Sequence, residues 1–173
     1  MDFSIRPVKA ADIPAIARIY ARAVKHGTAS FELEPPDEGE MMRRFRTLTD
    51  SGFPYLVAEN GDKVLGYAYA GPYRTRPAYR FTVEDSIYID PAAQRQGLGL
   101  ALLERLIADS AARGFRQMIA VIGDSAQIAS IEVHRAAGFR YVGNLENAGF
   151  KFGRWLDTVL MQRALGPGAA CAP

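Results

Sequence analysis

The sequence predicts one α/β domain built on a mixed β-sheet with helices packed against it. Residues 55–59 and 64–70 are apolar runs that flank Asn60-Gly61-Asp62, a strong signal for an antiparallel hairpin. Farther along, a helical pattern separates the strand-like run that ends at Ile89 from a second one over Gln117–Gly123. A helix between two such strands implies a parallel crossover. With 173 residues, the chain is long enough to bury the core of one domain.

Shorter patterns near the amino terminus indicate a strand followed by a helix. Residues 3–8 alternate like an edge strand that is ended by Pro7. Asp12 followed by Pro14 is typical of a capped helix start. The apolar stripe that follows at helical spacing is interpreted as core packing, and its members are Ile13, Ile16, Ala17, Tyr20 and Val24.

The rest of the chain continues the alternation of helices and strands. A second helix is predicted over residues 38–49, and another ends near Ala137. Residues 141–145 and 156–163 close the sheet as strands, joined by a loop over residues 149–155.

The composition is that of a folded globular protein. Hydrophobic residues make up 49% of the chain and charged residues 23%, which argues against disorder. The formal net charge is +2, and arginines and glutamates are interspersed, so neither a nucleic acid nor a membrane is expected as a partner. No apolar run has the length of a membrane span, and the start of the sequence lacks the pattern of a secretory signal.

A single cysteine, Cys171, lies among small residues near the end of the chain. One cysteine forms no intramolecular disulfide, no metal cluster is expected, and a reducing cytoplasmic setting is the default. Residues 1–165 form the predicted domain. Residues 166–173 lack a core-forming pattern and are predicted to be a flexible tail.

The stretch from Thr82 to Arg113 carries the clearest functional pattern. Its strand is followed by Gln94-Arg95-Gln96-Gly97-Leu98-Gly99 and then by leucines at helical spacing. Glycines let the backbone approach a ligand, and the first N–H groups of a helix attract anions, here aided by Arg95. A packing turn is the alternative interpretation. The dinucleotide fingerprint and the nucleoside-triphosphate loop do not match.

The Gln94-x-x-Gly97-x-Gly99 pattern resembles the coenzyme A loop of the GNAT superfamily of N-acetyltransferases. The resemblance extends over nearly the whole chain and is strongest to the branch that acetylates phosphinothricin and methionine sulfoximine. The motifs that carry this closer resemblance are Gly71-Pro72-Tyr73-Arg74, Thr82-Val83-Glu84, Ala120-Val121-Ile122-Gly123, His134 with Gly138-Phe139, and residues 149–157 (GFKFGRWLD).

The resemblance implies a mostly antiparallel twisted sheet whose central parallel strands splay apart, with acetyl-CoA as co-substrate. It implies coenzyme contacts from Ile87, Tyr88, Ile89, Arg95, Gln96, Gly97, Leu98, Gly99 and Leu100. Gln127 stands near the place where relatives carry a coenzyme-binding asparagine. The implied acceptor-binding residues are Phe31, Arg74, Thr75, Arg76, Glu84, Asp85 and Ser86.

Two side chains are candidates for proton transfer. Glu84, an acid at the head of an apolar strand, is expected to be used or paired, and the resemblance selects it as general base over Asp85. An ion pair with Arg74 or Arg76 is the alternative. His134 lies where relatives often place the residue that protonates the departing thiolate, but it is open whether it is merely a packed or surface side chain.

The expected function is therefore acetyl transfer from acetyl-CoA to the α-amino group of a small amino-acid-like substrate. Direct transfer is expected because Cys171 has no visible base partner. A homodimer is the expected assembly. Two other functions stay open: acetylation of protein N-termini or another amine, and a coenzyme A-binding module without catalysis.

Overall fold

A computed structural model describes residues 2–173. The elements in chain order are β1 (Ser4–Pro7), α1 (Ile13–His26), α2 (Glu38–Asp50), β2 (Tyr55–Asn60), β3 (Lys63–Pro72), β4 (Thr82–Ile89), α3 (Leu98–Ala112), β5 (Gln117–Gly123), α4 (Ile128–Ala136), β6 (Arg140–Lys151) and β7 (Arg154–Ala164). Short 3₁₀ turns precede α1, β4 and α3.

The strands form one seven-stranded sheet in the order β1-β2-β3-β4-β5-β7-β6. Only β4 and β5 pair in parallel, and every other neighbouring pair is antiparallel. Helices α1 and α2 pack with the tyrosine-rich face of β2 and β3, whereas α3 packs on the other face. The predicted mixed sheet with flanking helices is confirmed.

The two parallel strands separate halfway along their length. Pairing between β4 and β5 runs from Thr82 and Gln117 to Asp85 and Ala120 and then stops. β4 continues to pair with β3 as far as Ile89, while β5 continues to pair with β7 as far as Gly123. The second half of β4 therefore has a sheet partner on one side only, which confirms the predicted splay.

Helix α3 anchors the core on its side of the sheet. Leu98, Leu102, Leu103 and Leu106 recur at helical spacing and are fully buried. Burial of each leucine side chain contributes about 1.5–3 kcal/mol. The helix begins at Leu98, so the glycine turn that precedes it is fixed to the core by its first residue.

Asp12 acts differently from the helix cap that the sequence predicts. Its carboxylate accepts hydrogen bonds from Arg6 at 2.7 Å and from the backbone N–H of Lys9 at 2.7 Å, and it accepts none from the first turn of α1. The ion pair with Arg6 ties α1 to β1. A cap of the predicted type does occur at α2, where Asp37 accepts from the N–H of Glu40.

The loop predicted over residues 149–155 is wrong. β6 and β7 extend through most of it and meet in a tight turn at Phe152 and Gly153, whose φ angles are 53° and 72°. Positive φ at both central positions suits the right-handed twist of a two-residue hairpin. Glycine usually weakens a strand, but Gly149 lies within β6 for a packing reason described below.

The last residues of the chain form turns, in which the N–H of Gly168 donates to Leu165 O. Arg116, just before β5, lies 3.7 Å from the sulfur of Cys171. Among the helices of residues 2–173, none is both long enough and apolar enough to cross a membrane.

Candidate active site

A narrow cavity occupies the gap between the separated halves of β4 and β5. Its volume is about 60 Å³, and it is lined by residues of both strands, by Ala29 and by the start of α4. Ile87 and Tyr88, two of the residues expected to contact the coenzyme, line it, and Ile89 ends the same half-strand. Because this edge of β4 has no strand partner, its backbone groups are free to bind an extended ligand.

The glycine turn opens the amino terminus of α3 to an anion. Arg95 and Gly97 have φ angles of 61° and 80°, a left-handed conformation that favours glycine. No side chain caps α3, and a Cβ at Gly97 would meet nothing within 4 Å. The first N–H groups of the helix therefore have no capping side chain, which suits an anion site.

The remaining predicted coenzyme residues surround this helix start. Gly99 lies inside the first turn of α3 rather than in the turn before it, and a Cβ there would lie 3.7 Å from Val133 of α4. The Oε1 atom of Gln96 is buried without a partner among residues 2–173. Gln127, at the start of α4, donates its amide to Thr28 Oγ1 at 2.9 Å and lines the cavity between the strands.

Glu84 lies on the face of β4 that is turned toward α1 and α2, opposite Gly71 of β3. Burial, together with the neighbouring Asp85 carboxylate and against the attraction of Arg74, raises the pKa of Glu84 to about 7. The predicted alternative of an ion pair with Arg74 or Arg76 does not form among the described residues. Glu84 can therefore exchange a proton near neutral pH.

Asp85 and His134 form a buried pair on the other face of the same strand. The Nε2 atom of His134 lies 2.9 Å from Asp85 Oδ2, and Nδ1 lies 2.7 Å from the carbonyl oxygen of Ser130. Their side chains are 2% (Asp85) and 5% (His134) exposed, and both line the cavity between the strands. Glu84 and His134 thus lie on opposite sides of β4, and of the two His134 lines the gap.

The predicted acceptor-binding arginines lie at the surface. Arg74, Thr75 and Arg76 follow β3 and are exposed, with the Arg74 guanidinium 5.1 Å from the centre of the Tyr73 ring. Ser86 faces the same side of β4 as Glu84 and lies opposite Tyr69 of β3. Of the two arginines, Arg74 is close enough to attract the Glu84 carboxylate.

A larger cavity of about 240 Å³ lies beneath α2, against the tyrosine face of β2 and β3. Its lining comprises Tyr20, Met41, Arg43, Arg44, Thr47, Leu48, Tyr55, Tyr67 and Tyr69. Tyr69 connects it to the Glu84 side of the sheet, because Tyr69 pairs in register with Ser86. The sequence analysis did not predict this cavity; the tyrosines alternate along β2 and β3, a signal that also fits plain core packing.

Phe31 is held between two glycines. A Cβ at Gly149 would lie 2.4 Å from the Phe31 ring, and one at Gly123 would lie 2.8 Å from it. These glycines, in β6 and β5, leave the space that the ring occupies. Phe31 thereby closes the segment between α1 and α2 over the end of the strand gap.

Three residues of the GFKFGRWLD segment that were given no role brace this closure. Lys151 is buried and donates to the carbonyl oxygens of Gly27 at 2.9 Å and Ser30 at 2.7 Å. Arg154 pairs with Asp124 at 2.8 Å, and Asp157 accepts from Ser125 at 2.9 Å. The hairpin of β6 and β7 thus fixes the α1–α2 segment and the start of α4. In the sequence, the only indication of a role for these three residues was that they lie together in the GFKFGRWLD motif.

Substitution of Gly149 by alanine should displace Phe31, since the new Cβ would overlap the aromatic ring. We expect the KM for the acceptor to rise about tenfold, with the KM for the coenzyme within about twofold of the wild type. Steady-state kinetics with each substrate varied in turn would measure both values. Gly143→Ala is a suitable control, because a Cβ at Gly143, also in β6, meets nothing within 4 Å. An unchanged acceptor KM would remove Phe31 from the acceptor side.

Parallel strands that separate beside a free backbone edge, an uncapped helix start and a half-buried carboxylate form the arrangement expected of a coenzyme A-dependent N-acyltransferase. The chain belongs to the acetyltransferase (GNAT) family, whose sequence profile matches residues 16–139. The expected superfamily and enzyme class are confirmed.

Individual relatives extend the similarity over almost the entire chain. It is 54% identical to phosphinothricin N-acetyltransferase of Alcaligenes faecalis, over 98% of this chain and 86% of that protein. It is 41% identical to L-methionine sulfoximine/L-methionine sulfone acetyltransferase of Pseudomonas aeruginosa, over 96% and 97% of the two chains. The crystal structure of a phosphinothricin acetyltransferase from Sinorhizobium meliloti in complex with AcCoA superposes with a TM-score of 0.96 at 50% identity, covering 100% of this chain and 94% of that one.

Proposed function

We propose that the protein transfers an acetyl group from acetyl-CoA to the α-amino group of a small amino acid of the phosphinothricin, methionine sulfoximine or methionine sulfone type. The names of the similar proteins supply the acceptor class. The observation that carries the reaction is Glu84, a half-buried carboxylate with a pKa of about 7, placed without an ion pair beside the separated strands. A non-catalytic coenzyme-binding module has no need of such a group.

The residues that would hold acetyl-CoA fit its shape and charge. The open helix start with Arg95 and Gly97 suits a pyrophosphate, and the free edge of β4 at residues 87–89 suits an extended amide-containing arm. Gln127 lies at the end of the strand gap. When bound there, acetyl-CoA supplies an acetyl thioester that an amine can attack.

We assign each step of the transfer to a group of this chain. Glu84 accepts a proton from the acceptor's amino group, directly or through one water. Backbone N–H groups of Ile87 and Ile89, which face the unpaired edge of β4, donate to the thioester oxygen as it gains charge, and one such donor contributes about 3 kcal/mol. His134 lines the gap and would give a proton to the departing sulfur.

The acceptor would enter from the face that carries Glu84 and Ser86. Phe31 and the exposed guanidinium groups of Arg74 and Arg76 border this side, and an arginine binds carboxylate, phosphinate or sulfone oxygens through paired donors. The tyrosine-lined cavity beneath α2 adjoins it through Tyr69. A small zwitterionic acceptor with an oxygen-rich far end suits these surroundings.

We propose direct transfer, without an acetylated enzyme. Cys171 is exposed and lies beside Arg116, at the start of β5, whereas the strand gap opens at the far end of that strand. Its sulfur therefore lies near the end of β5 that is opposite to the strand gap. An acetylated Cys171 after incubation with acetyl-CoA alone would contradict this.

We also propose that the protein is a cytoplasmic homodimer and that its activity serves detoxification of amino-acid analogues. β6 is an edge strand of 12 residues. Large apolar side chains on the hairpin, each between 48% and 61% exposed, favour a second copy as its cover: Tyr141, Val142, Leu145, Phe150, Phe152 and Trp155. Light scattering that gives the mass of one chain would exclude the dimer.

Thiol release from acetyl-CoA with a panel of amines tests the proposed function. The panel contains phosphinothricin, methionine sulfoximine, methionine sulfone, unmodified methionine and short peptides with a free N-terminal alanine. We expect kcat/KM for the three analogues to exceed that for any peptide by at least about a hundredfold. Turnover confined to peptides would shift the function to protein acetylation. Acetyl-CoA binding without turnover on any amine would favour the binding module.

A further inference from the structure

The Asp85–His134 pair has a proton arrangement that the positions of its atoms determine. The carbonyl oxygen of Ser130 only accepts hydrogen bonds, so the Nδ1 atom of His134 that faces it at 2.7 Å carries a hydrogen. Nε2 faces the carboxylate oxygen Oδ2 of Asp85 at 2.9 Å. A second proton therefore lies between ring and carboxylate, since two lone pairs at this distance would repel each other.

The pair lies at the point where the strands separate. Asp85 and Ala120 are the last paired residues of β4 and β5, and the cavity that begins beyond them is lined by both Asp85 and His134. The second carboxylate oxygen of Asp85, Oδ1, is buried and has no partner among residues 2–173. A buried acceptor without a donor is costly in a purely structural pair.

On the basis of the proposed function, we infer that Asp85 is a positioning residue that holds His134 as a charged imidazolium in the strand gap, ready to protonate the thiolate of coenzyme A. Replacing this carboxylate with a neutral group removes the partner that favours the charged ring. Glu84 and Asp85, adjacent in the sequence, thus serve the two ends of one reaction from opposite faces of β4.

The proton balance of the transfer is complete with these two carboxylates and the histidine. Glu84 takes the proton from the attacking amine as the new C–N bond forms. As the C–S bond breaks, the sulfur leaves with its electron pair, replaces Asp85 Oδ2 as the acceptor of the Nε2–H group of His134, and takes that proton. The ring is then neutral with its Nε2 lone pair facing Asp85, and this repulsion favours uptake of a proton from solvent.

The surroundings of His134 agree with a charged ring. Burial lowers the pKa of His134, but the hydrogen bond and attraction of Asp85 and the hydrogen bond to Ser130 outweigh it, so that the pKa lies above its ordinary value. Asp85 is the charged side chain that contacts the ring within residues 2–173. The ion pair of Glu132 and Arg135 on α4 is exposed, and Phe139 meets the ring edge to face at 5.1 Å.

Nitrogen NMR can test the charge directly, because the chain has only two histidines, His26 and His134. In a His26→Gln background, we expect His134 to keep both ring protons at pH about 7.5, where an unperturbed histidine with a pKa of about 6.5 is mostly neutral. In Asp85→Asn the pH midpoint of the His134 titration should fall by at least about one pH unit. Glu84→Gln removes the neighbouring carboxylate on the other face and should leave the midpoint within about 0.3 units.

Kinetics separate a proton source from a structural pair. In Asp85→Asn, kcat at pH about 8 should fall about tenfold or more, the loss should shrink toward pH about 6, and the KM for acetyl-CoA should stay unchanged. The inference would be overturned if the His134 ring of the wild type were neutral at pH about 7.5. It would also be overturned if Asp85→Asn lowered the titration midpoint of His134 without changing the alkaline limb of the pH profile of kcat. The wild-type spectrum decides the charge even if Asp85→Asn does not fold. Wild-type inactivity on every acceptor would overturn the proposed function, and with it the role as proton source.

Discussion

Glu84→Gln should lower kcat/KM for phosphinothricin by about 10²–10³ at pH 8, because the amide keeps the size of the carboxylate but accepts no proton. In the wild type, kcat/KM should rise with pH through an acid limb centred near 7, since only the ionised form of Glu84 is a base and its pKa is about 7. The limb should vanish in the variant. Initial rates of thiol release between pH 5.5 and 9 would measure both effects.

The ionised carboxylate of Glu84 should also lower the free energy of unfolding at pH 8. Its pKa of about 7 in the folded chain lies above the ordinary value of 4.5, so the folded state binds the proton more tightly than the unfolded state. The stability contributed by the protonated group is therefore lost as the pH rises from about 4.5 to about 7. Glu84→Gln should raise Tm at pH 8 and change it little at pH 4.5.

The control for both measurements is Glu104→Gln, which removes an exposed carboxylate from α3 without touching the site. It should match the wild type in rate and in the pH dependence of Tm. A Glu84→Gln enzyme with most of its activity at pH 8, or with the acid limb intact, would show that another group accepts the proton.

Gly99→Ala should weaken the binding of acetyl-CoA without destabilising the fold. A Cβ at this position lies 3.7 Å from Val133, an ordinary contact, and alanine is favoured over glycine in a helix by about 1 kcal/mol. The added methyl group faces the side of α3 that is turned to α4, beside the open helix start. We expect the KM for acetyl-CoA to rise about tenfold, whereas Tm stays equal or increases.

Gly39→Ala is the matched control for this substitution. Gly39 lies in the first turn of α2, where a Cβ would approach only the side-chain oxygen of Asp37, at 3.3 Å. It tests the same gain in helix propensity away from the glycine turn. A Gly99→Ala enzyme with a wild-type KM for acetyl-CoA would place the coenzyme elsewhere than at the start of α3.

Most of the fold is predictable because its signals are local. Asn60-Gly61-Asp62 predicts the hairpin, and the leucine spacing after Gly97 predicts helix α3 between two parallel strands. The errors arise where a distant contact decides. The carboxylate of Asp12 accepts a hydrogen bond from Arg6 of β1 instead of capping α1. Gly149 lies in a strand, where the ring of Phe31, which is far away in the sequence, occupies the space beside it.

The sequence predicts which residues belong to the candidate site better than it predicts how they are arranged in space. Alternation along β4 separates Glu84 from Asp85, but it does not show that Asp85 faces His134. The exposure of Arg74 and Arg76 and the bracing role of Lys151 depend on how separate segments meet. No spacing rule in the sequence reports such contacts.

The most direct test of the proposed reaction is the identity of its product. Wild-type enzyme, acetyl-CoA and phosphinothricin would be incubated at pH 8, and the acceptor examined by mass spectrometry with fragmentation. We expect a singly acetylated acceptor with the acetyl group on the α-nitrogen, formed in equal amount to the free coenzyme A. Coenzyme A released while the acceptor stays unmodified, or acetyl found on another atom, would contradict N-acetyl transfer to the amino acid.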